Sequence, residues 1–222
     1  MSAVFQPFGL KPVYHPSGLD RAEQFAGTNS FNGNDYTAPY SLSSGQSFFQ
    51  YTPVAITTSG QLTLANAAAA SGKIYGVFNG VEYTTAEGRR TVAKYISLVS
   101  LAAATQVSFW IFRDPGLVYE AQIYGSATSA AIGTAYNFNA AATVPTSTVA
   151  SGIAIGNGGA GFSTTALNAT AVGTGVQGQV RVIGLGREIA FPSNSTNAWG
   201  DAYTIVQVQI CNNAFSAPSV SV

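Results

Sequence analysis

The stretch QVSFWIFRDPGLVYEAQIYG, residues 106–125, carries the strongest structural signal in this chain. Residues 107–112 are a nearly unbroken run of apolar, β-branched and aromatic side chains, typical of a strand buried on both faces. Residues 117–122 alternate with a period of two, which also indicates a strand. Between them RDPG predicts a turn, because proline presets φ, Gly116 accepts a positive φ and Asp114 can bond its own backbone. We therefore predict a β-hairpin, either inside a β domain or between that domain and a partner.

Shorter runs on both sides of this stretch also have the pattern of strands. The clearest are a hairpin that turns at residues 57–60 and alternating runs at residues 176–190 and 202–210. Gly76 and Gly80, inside another run, indicate bulges or the close approach of a second backbone. Residues 98–105 are compatible with a short helix, but their surroundings favour a strand and a loop. The pattern predicts an all-β chain with a single β-sandwich or β-barrel domain.

Residues 1–45 are predicted to be an extended N-terminal arm, ahead of a β domain at residues 46–222. Closely spaced prolines argue against a helix there, and the apolar side chains of the arm require a surface to lie against. The candidate partner-contact residues are Phe5, Phe8, Leu10, Val13 and Tyr14. Such a segment can pack on its own domain or reach a neighbouring subunit, because an extended proline-rich backbone loses little entropy on docking.

Residues 126–178 form a low-complexity section of Ala, Gly, Thr, Ser and Asn without any charged residue. Possible strands lie at residues 135–140 and 151–155, and the glycines of residues 156–161 predict a loop. Disordered segments are usually charged, whereas this section is neutral and moderately apolar. We therefore expect ordered, glycine-rich loops that pack on something, with disorder as the alternative.

Charge is scarce throughout the chain. Only 8% of its 222 residues are charged, nine basic and nine acidic, while 46% are hydrophobic. An ordinary soluble domain carries about 25% charged residues, which keep its surface soluble. A chain so poor in charge is easiest to explain if other subunits cover much of its surface; a neutral extracellular β protein is the alternative.

The same composition argues against several classes of partner. Zero net charge without a basic stripe argues against direct contact with nucleic acid. No apolar run is long enough for a membrane helix, so no membrane is expected. The N-terminus lacks the pattern of a secretory signal, which favours synthesis in a cytoplasm without export by that route. The single cysteine, Cys211, excludes an internal disulfide and is expected to act as a small apolar side chain.

We find no constellation of residues that points to catalysis, a metal or a cofactor. His15 is the only histidine, the acids are scattered, and no phosphate-binding or calcium-binding loop is present. Glu82 and Glu120 could face each other across a sheet, as in a glycoside hydrolase, but structural ion pairs are the more economical expectation. Their expected partners are Arg113, Arg181 or Arg187.

The two tryptophans are candidates for stacking on sugars. Trp199 lies in a turn and is the better candidate for an exposed aromatic residue, whereas Trp110 lies in the central run. The alternative for Trp199 is an aromatic plug that closes one end of the domain.

Four segments together resemble a known family. They are PFGLKPVYHPSG (residues 7–18), YGVFNGVEYT (75–84), WIFRDPGLVYEAQ (110–122) and NAWGDAYTIVQVQI (197–210). Their order and spacing resemble the capsid decoration, or cement, proteins of tailed bacteriophages. The resemblance spans most of the chain except residues 126–178, and its motifs are not catalytic.

The resemblance implies a structural virion protein with no enzymatic turnover. It implies binding to the phage major capsid protein on the outer surface of the head, often as a homotrimer that clamps neighbouring capsid subunits. The arm would then touch a neighbouring subunit. The alternatives are another virion component, such as a head fibre or a tail-associated receptor or glycan-binding protein, an enzyme that acts on glycans, and a secreted lectin.

Overall fold

The structure is a computed structural model and describes residues 7–16, 23–26, 40–43, 46–65, 73–139, 163, 165–173, 175–186, 189–190 and 195–215. In these ranges the chain forms fifteen strands, one α-helix and one 3-10 turn at Ser129–Ala131. The strands are β1 (Lys11–Tyr14), β2 (Glu23–Ala26), β3 (Ser47–Phe49), β4 (Pro53–Ile56), β5 (Leu62–Leu64), β6 (Gly76–Thr84), β7 (Arg90–Ala93), β8 (Tyr95–Ser97), β9 (Thr105–Phe112), β10 (Val118–Gln122), β11 (Ala135–Tyr136), β12 (Val180–Leu185), β13 (Ile189–Ala190), β14 (Ser195–Thr196) and β15 (Ile205–Ile210). The helix is α1 (Leu98–Ala103).

Most of these strands belong to two open antiparallel sheets. One has five strands in the order β1-β10-β15-β12-β11. The other has six strands, in the order β2-β9-β6-β4-β5 with β7 also paired to β6. The remaining strands form two small pairs, β3 with β8 and β13 with β14. The prediction of an all-β chain is confirmed, and because neither sheet closes in the described part of the chain, the architecture is sandwich-like rather than a barrel.

The hairpin predicted at residues 106–125 is wrong, although both of its strands exist. β9 lies between β2 and β6 in the six-stranded sheet, whereas β10 lies between β1 and β15 in the five-stranded sheet. Each strand has neighbours on both edges, so neither has an edge left for the other. Residues 113–117, which we call the crossover, carry the chain from one sheet to the other. All five residues of β10 are buried, as expected of a strand that is covered on both faces.

Two apolar cores lie on opposite faces of the six-stranded sheet. In the first core, Val77 and Phe112 of the six-stranded sheet pack against Tyr119, Val206 and Val208 of the five-stranded sheet. The second lies on the other face, which the β3–β8 pair and α1 cover. Its aromatic centre consists of Phe48, Phe78 and Phe109, whose ring centroids are 5.4–6.2 Å apart. The chain therefore stacks three layers around two cores.

The two glycines of β6 behave as predicted. The pairing of β6 with β9 shifts between Phe78 and Gly80, which is a bulge. Gly76 lies against the neighbouring strand, where an added Cβ would be 2.5 Å from the carbonyl oxygen of Phe112. The hairpin predicted around residues 57–60 is also confirmed, since β4 pairs with β5 across that turn.

Residues 98–103 form a helix where we predicted a strand and a loop. The hydroxyl of Ser97 accepts a hydrogen bond from the backbone N–H of Ser100 at 3.1 Å and caps the first turn. Leu101 is buried in the second core, while Val99 is exposed. One well-placed cap and one buried leucine therefore outweigh the strand-rich surroundings.

The low-complexity section contributes several side chains to the first core in its described parts. The predicted strand at residues 135–140 is present only as β11, and Ala127, Ala131 and Leu167 are buried. Small side chains suit this position because they allow loops to lie close to the sheet. The predicted strand at residues 151–155 and the loop at residues 156–161 lie outside the described residues.

The N-terminal segment also packs on its own domain in its described parts. β1 is an edge strand of the five-stranded sheet and β2 is an edge strand of the six-stranded sheet. Leu10 is completely buried in the first core. Residues 7–16 and 23–26 are therefore part of the β domain, and the remainder of the predicted arm at residues 1–45 lies outside the described residues, apart from residues 40–43.

Candidate interaction surface

The crossover is held by a tight turn. The Oδ1 of Asp114 accepts a hydrogen bond from the backbone N–H of Gly116 at 2.7 Å, as predicted for this residue type. Gly116 does not adopt the positive φ that we predicted. It is needed for space instead, because a Cβ there would be 2.8 Å from Nε2 of His15.

His15 connects the end of β1 to this turn. Its Nε2 lies 3.1 Å from Oδ1 of Asp114, which is close enough for an ion pair when the imidazole is protonated. The His15 side chain is mostly buried, whereas that of Asp114 is half-exposed. The hydrogen bond from Gly116, followed by the contact with His15, lowers the pKa of Asp114.

These groups do not amount to a catalytic site. The buried phenol of Tyr119 lies close enough for Asp114 to affect it, but burial is the main cause that raises the pKa of Tyr119. A phenol with a raised pKa is a poor nucleophile at neutral pH. The cluster is therefore suited to holding the backbone rather than to chemistry.

Replacing Asp114 with asparagine is expected to change how stability depends on pH. The pKa of the folded carboxyl lies below that of an unfolded aspartate, about 3.9. The carboxylate therefore adds stability above that pH, and this contribution is lost as the pH falls through the folded pKa. We expect Asp114→Asn to lower the free energy of unfolding by less than about 1 kcal/mol at pH 5, a difference that shrinks as the pH falls below about 3.9. Urea denaturation across this range measures it.

Asp114→Ala is the companion variant, because it also removes the acceptor for the Gly116 N–H. It is expected to cost about 1 kcal/mol more than Asp114→Asn at every pH. A deficit of Asp114→Asn that is the same at pH 2 as at pH 5 would contradict the role of the charge.

On the other side of the crossover, an arginine joins two aromatic rings. Nη1 of Arg113 donates a hydrogen bond to the hydroxyl of Tyr75 at 3.3 Å, and its guanidinium carbon lies 5.8 Å from the centre of the Phe215 ring. The rings of Tyr75 and Phe215 are 5.2 Å apart. The backbone N–H of Ala214 donates to the carbonyl of Ile74 at 2.8 Å and fixes this part of the chain. Phe215 is held firmly although 56% of it is exposed.

The candidate partner-contact residues have different positions. Leu10 is a core residue and cannot meet a partner. Phe8 is half-buried, and Phe5 lies outside the described residues. Val13 and Tyr14 are 37% and 43% exposed at the end of β1. Only these two therefore present substantial apolar surface within the described part of the predicted set.

A partner would meet β1 through side chains rather than by adding a strand. β1 pairs only with β10 among the described strands, so its second edge is unpaired there. Pro12 lacks a backbone N–H, and the pairing shifts between Pro12 and Tyr14. Proline and bulges at a sheet edge both discourage further strand pairing.

Contacts and chain connectivity thus link five residues around the crossover: Tyr14, His15, Asp114, Arg113 and Phe215. The exposed residues of this set, together with Val13 next to Tyr14, are called the crossover surface: Val13, Tyr14, Asp114 and Phe215. Sequence reasoning missed Phe215, because it is the single aromatic residue among the mostly small and polar residues 211–222. A phenylalanine in such a segment was the available signal.

Trp199 packs against its own domain, as the alternative to an exposed aromatic residue expected, whereas Trp110 is not fully covered. Trp199 lies in a turn, where the N–H of Ala198 donates to Oδ2 of Asp201 at 2.9 Å, but it is half-buried and packs against the first core. It is therefore not an exposed aromatic residue. Trp110 is also half-buried, yet it belongs to neither core.

Glu82 and Glu120 do not face each other, in agreement with the preference for structural ion pairs over a catalytic pair. Glu82 lies on β6 and Glu120 on β10, so they belong to different sheets. Glu82 pairs with Arg90, and this raises the pKa of the arginine. Glu120 is buried opposite Lys11 in the pairing of β1 with β10. The pairing of Glu82 with Arg90 differs from the predicted partners, of which Arg187 lies outside the described residues. The described residues contain no group of three or more potential metal ligands.

Cys211 is half-buried beside β12. Its Sγ donates a hydrogen bond to the carbonyl of Gly178 at 3.0 Å, and burial raises the pKa of the thiol. Both properties disfavour a reactive thiolate and agree with the role of a small packed side chain.

No known family model, no curated protein and no solved structure matches this chain. No helix in the described part of the chain is long and apolar enough to span a membrane.

Proposed function

We propose that this protein is a structural virion component that binds the outside of a phage head and stabilises contacts between major capsid subunits. It acts by binding, as a homotrimer on the outer surface of the capsid, after synthesis in the host cytoplasm. It needs no cofactor, and it contacts neither nucleic acid nor a membrane. The resemblance of the four sequence segments to capsid decoration proteins is the starting point of this proposal.

The observation that carries the proposal is the crossover surface. Val13 and Tyr14 expose apolar area on the His15 side of the crossover and Phe215 does so on the Arg113 side, in a chain of which only 8% is charged. The His15–Asp114 contact, the Arg113–Phe215 contact and backbone hydrogen bonds hold these residues in place. Preformed aromatic anchors bind well because little entropy is lost on docking.

The energy of one such contact is modest. Removing apolar surface from water stabilises a complex by roughly 25 cal/mol per Å². A trimer that offers three copies of the surface to a symmetric shell gains further through avidity. A small patch can therefore suffice for a protein that binds repeated sites.

The test is binding to purified phage heads that lack this protein. The double variant Tyr14→Ala, Phe215→Ala is expected to bind at least about tenfold more weakly than the unchanged protein, because both anchors are lost. Ile132→Ser is the matched control: Ile132 is exposed next to β11, at the opposite edge of the same sheet. Co-sedimentation and cryo-electron microscopy of the heads give affinity and position.

Two outcomes separate the parts of the proposal. If the unchanged protein does not bind heads, the function is wrong. If Ile132→Ser weakens binding as much as the double variant, the function stands but the crossover surface is not the contact. The rival reading, a head fibre or tail-associated receptor binder, predicted an exposed aromatic cluster at Trp199, which packs against the first core instead.

A further inference from the structure

One face of the six-stranded sheet is only partly covered. On this face Val77 and Phe112 lie opposite each other and pack into the first core beneath the five-stranded sheet. Farther along, Gly80 lies opposite Trp110, and Glu82 lies opposite Ser108 on one side and Val92 on the other. Residues directly opposite each other in an antiparallel pair share a face. We call Glu82, Val92, Ser108 and Trp110 the open face.

The exposure of its members shows that the five-stranded sheet does not extend over the open face. Val92 is 73% exposed, and Glu82, Ser108 and Trp110 are half-buried. Trp110 shares its face with Phe112 but joins neither core. Its ring is therefore not used to fill the interior.

The open face also carries polar groups without partners. In the part of the chain that the structure describes, neither the indole N–H of Trp110 nor the hydroxyl of Ser108 makes a hydrogen bond within the protein, and neither of these atoms is buried. Tryptophan N–H groups usually find a partner when the ring is buried. Gly80, opposite the indole, adds no side chain beside the ring, and an added Cβ there would be 3.1 Å from the carbonyl oxygen of Ala93 on the neighbouring strand.

Charge on the open face is balanced. Glu82 is paired with Arg90 on the neighbouring strand. The face therefore combines one aromatic ring, unpaired donors and a carboxylate whose charge is neutralised. Because Glu82 and Arg90 offset each other's charge, the face gives a charged ligand less electrostatic gain than an unpaired arginine or glutamate would.

We propose that the open face binds an uncharged oligosaccharide. A sugar ring has a C–H face that stacks on an aromatic ring, and hydroxyl groups at its edge that accept and donate hydrogen bonds. Trp110 supplies the ring and an N–H donor, while Ser108 and Glu82 supply a hydroxyl and carboxylate oxygens. Two neighbouring strands about 4.8 Å apart, β6 and β9, carry these groups on an open surface, so the site suits an extended chain of sugars rather than a single buried ring.

The chain has only two tryptophans, which allows a direct measurement. In Trp199→Phe the remaining indole fluorescence reports on Trp110 alone. Maltohexaose, cellohexaose and chitohexaose serve as uncharged probes, and oligogalacturonate serves as the anionic comparison. We expect at least one uncharged probe to change the fluorescence of Trp199→Phe saturably, and oligogalacturonate to have no effect. In calorimetry with that probe, Trp110→Ala should lower the affinity at least about tenfold.

Ser108→Ala is the milder companion variant, expected to weaken binding several-fold without loss of fold because its hydroxyl has no partner in the described structure. The proposal is overturned if none of the three uncharged probes binds in the millimolar range, or if Trp110→Ala binds as tightly as the unchanged protein. It is also overturned if Trp110→Ala abolishes binding to phage heads, since the open face would then be the capsid contact. Failure here leaves the role of the crossover surface untouched, because that surface is tested with other residues.

Discussion

Gly9→Ala is expected to lower the free energy of unfolding by about 3 kcal/mol or more, or to prevent folding. Gly9 has a φ of +82°, in the left-handed region that alanine rarely adopts. An added Cβ would also lie 2.2 Å from the carbonyl oxygen of Tyr51 and 2.6 Å from Cβ of Ser163. The carbonyl of Tyr51 accepts a hydrogen bond from the N–H of Leu10, so it cannot move away without loss.

Gly60→Ala separates the cost of a left-handed backbone conformation from the cost of close contacts with an added Cβ. Gly60 has a φ of +77°, but nothing lies within 4 Å of its added Cβ. It should therefore show the cost of the backbone conformation alone, about 1 kcal/mol, or about 2–4 °C in Tm for a chain of this size. Thermal and urea unfolding measure both variants. Equal losses for Gly9→Ala and Gly60→Ala would mean that the close contacts around Gly9 are wrong.

Leu10→Ala is expected to cost about 2–5 kcal/mol, the usual price of a cavity at a fully buried leucine. Leu10 has no exposed surface, packs in the first core and donates its N–H to the carbonyl of Tyr51 at 2.9 Å. The size of the loss depends on how far the core can relax around the missing side chain.

Val13→Ala is the matched control, three residues along the same segment. Val13 is partly exposed at the end of β1, so its truncation should change stability by less than about 0.5 kcal/mol. If Leu10→Ala were as mild as Val13→Ala in urea unfolding, residues 7–16 would not belong to the domain. The contrast also matters for function, because a variant of Val13 can lose binding to a partner without losing its fold.

The crossover shows which features local sequence rules predict and which they do not. The turn at residues 113–116 and the Asp114 hydrogen bond were predicted from residue types alone, because both depend on atoms a few bonds apart. The reason for Gly116 was not predictable. The atom that excludes a side chain there belongs to His15, about a hundred residues earlier, and only the folded chain brings the two together.

For the candidate surfaces too, the sequence identified some residues, and only the folded chain decided which of them are exposed. Val13 and Tyr14 were recognised from their apolar character, but so was Leu10, and the pattern of β1 does not distinguish the face that the core covers. Phe215 lay in a segment that looked polar and is placed by contacts with Tyr75 and Arg113. Trp110 lay in a run that seemed wholly buried, although the five-stranded sheet covers only part of its face.

By itself the sequence determined the all-β class, the positions of the longer strands, the bulge at Gly80 and the scarcity of surface charge. These properties follow from side-chain alternation and local backbone preferences, which act between near neighbours. Only the tertiary structure decided that β9 and β10 belong to different sheets, that Leu10 lies in the core and that Trp110 stays out of it. The physical reason is that the side chains of a strand determine how much of its surface must be buried. Its backbone N–H and C=O groups, in contrast, can form hydrogen bonds with any neighbouring strand, so the pairing depends on how the rest of the chain folds.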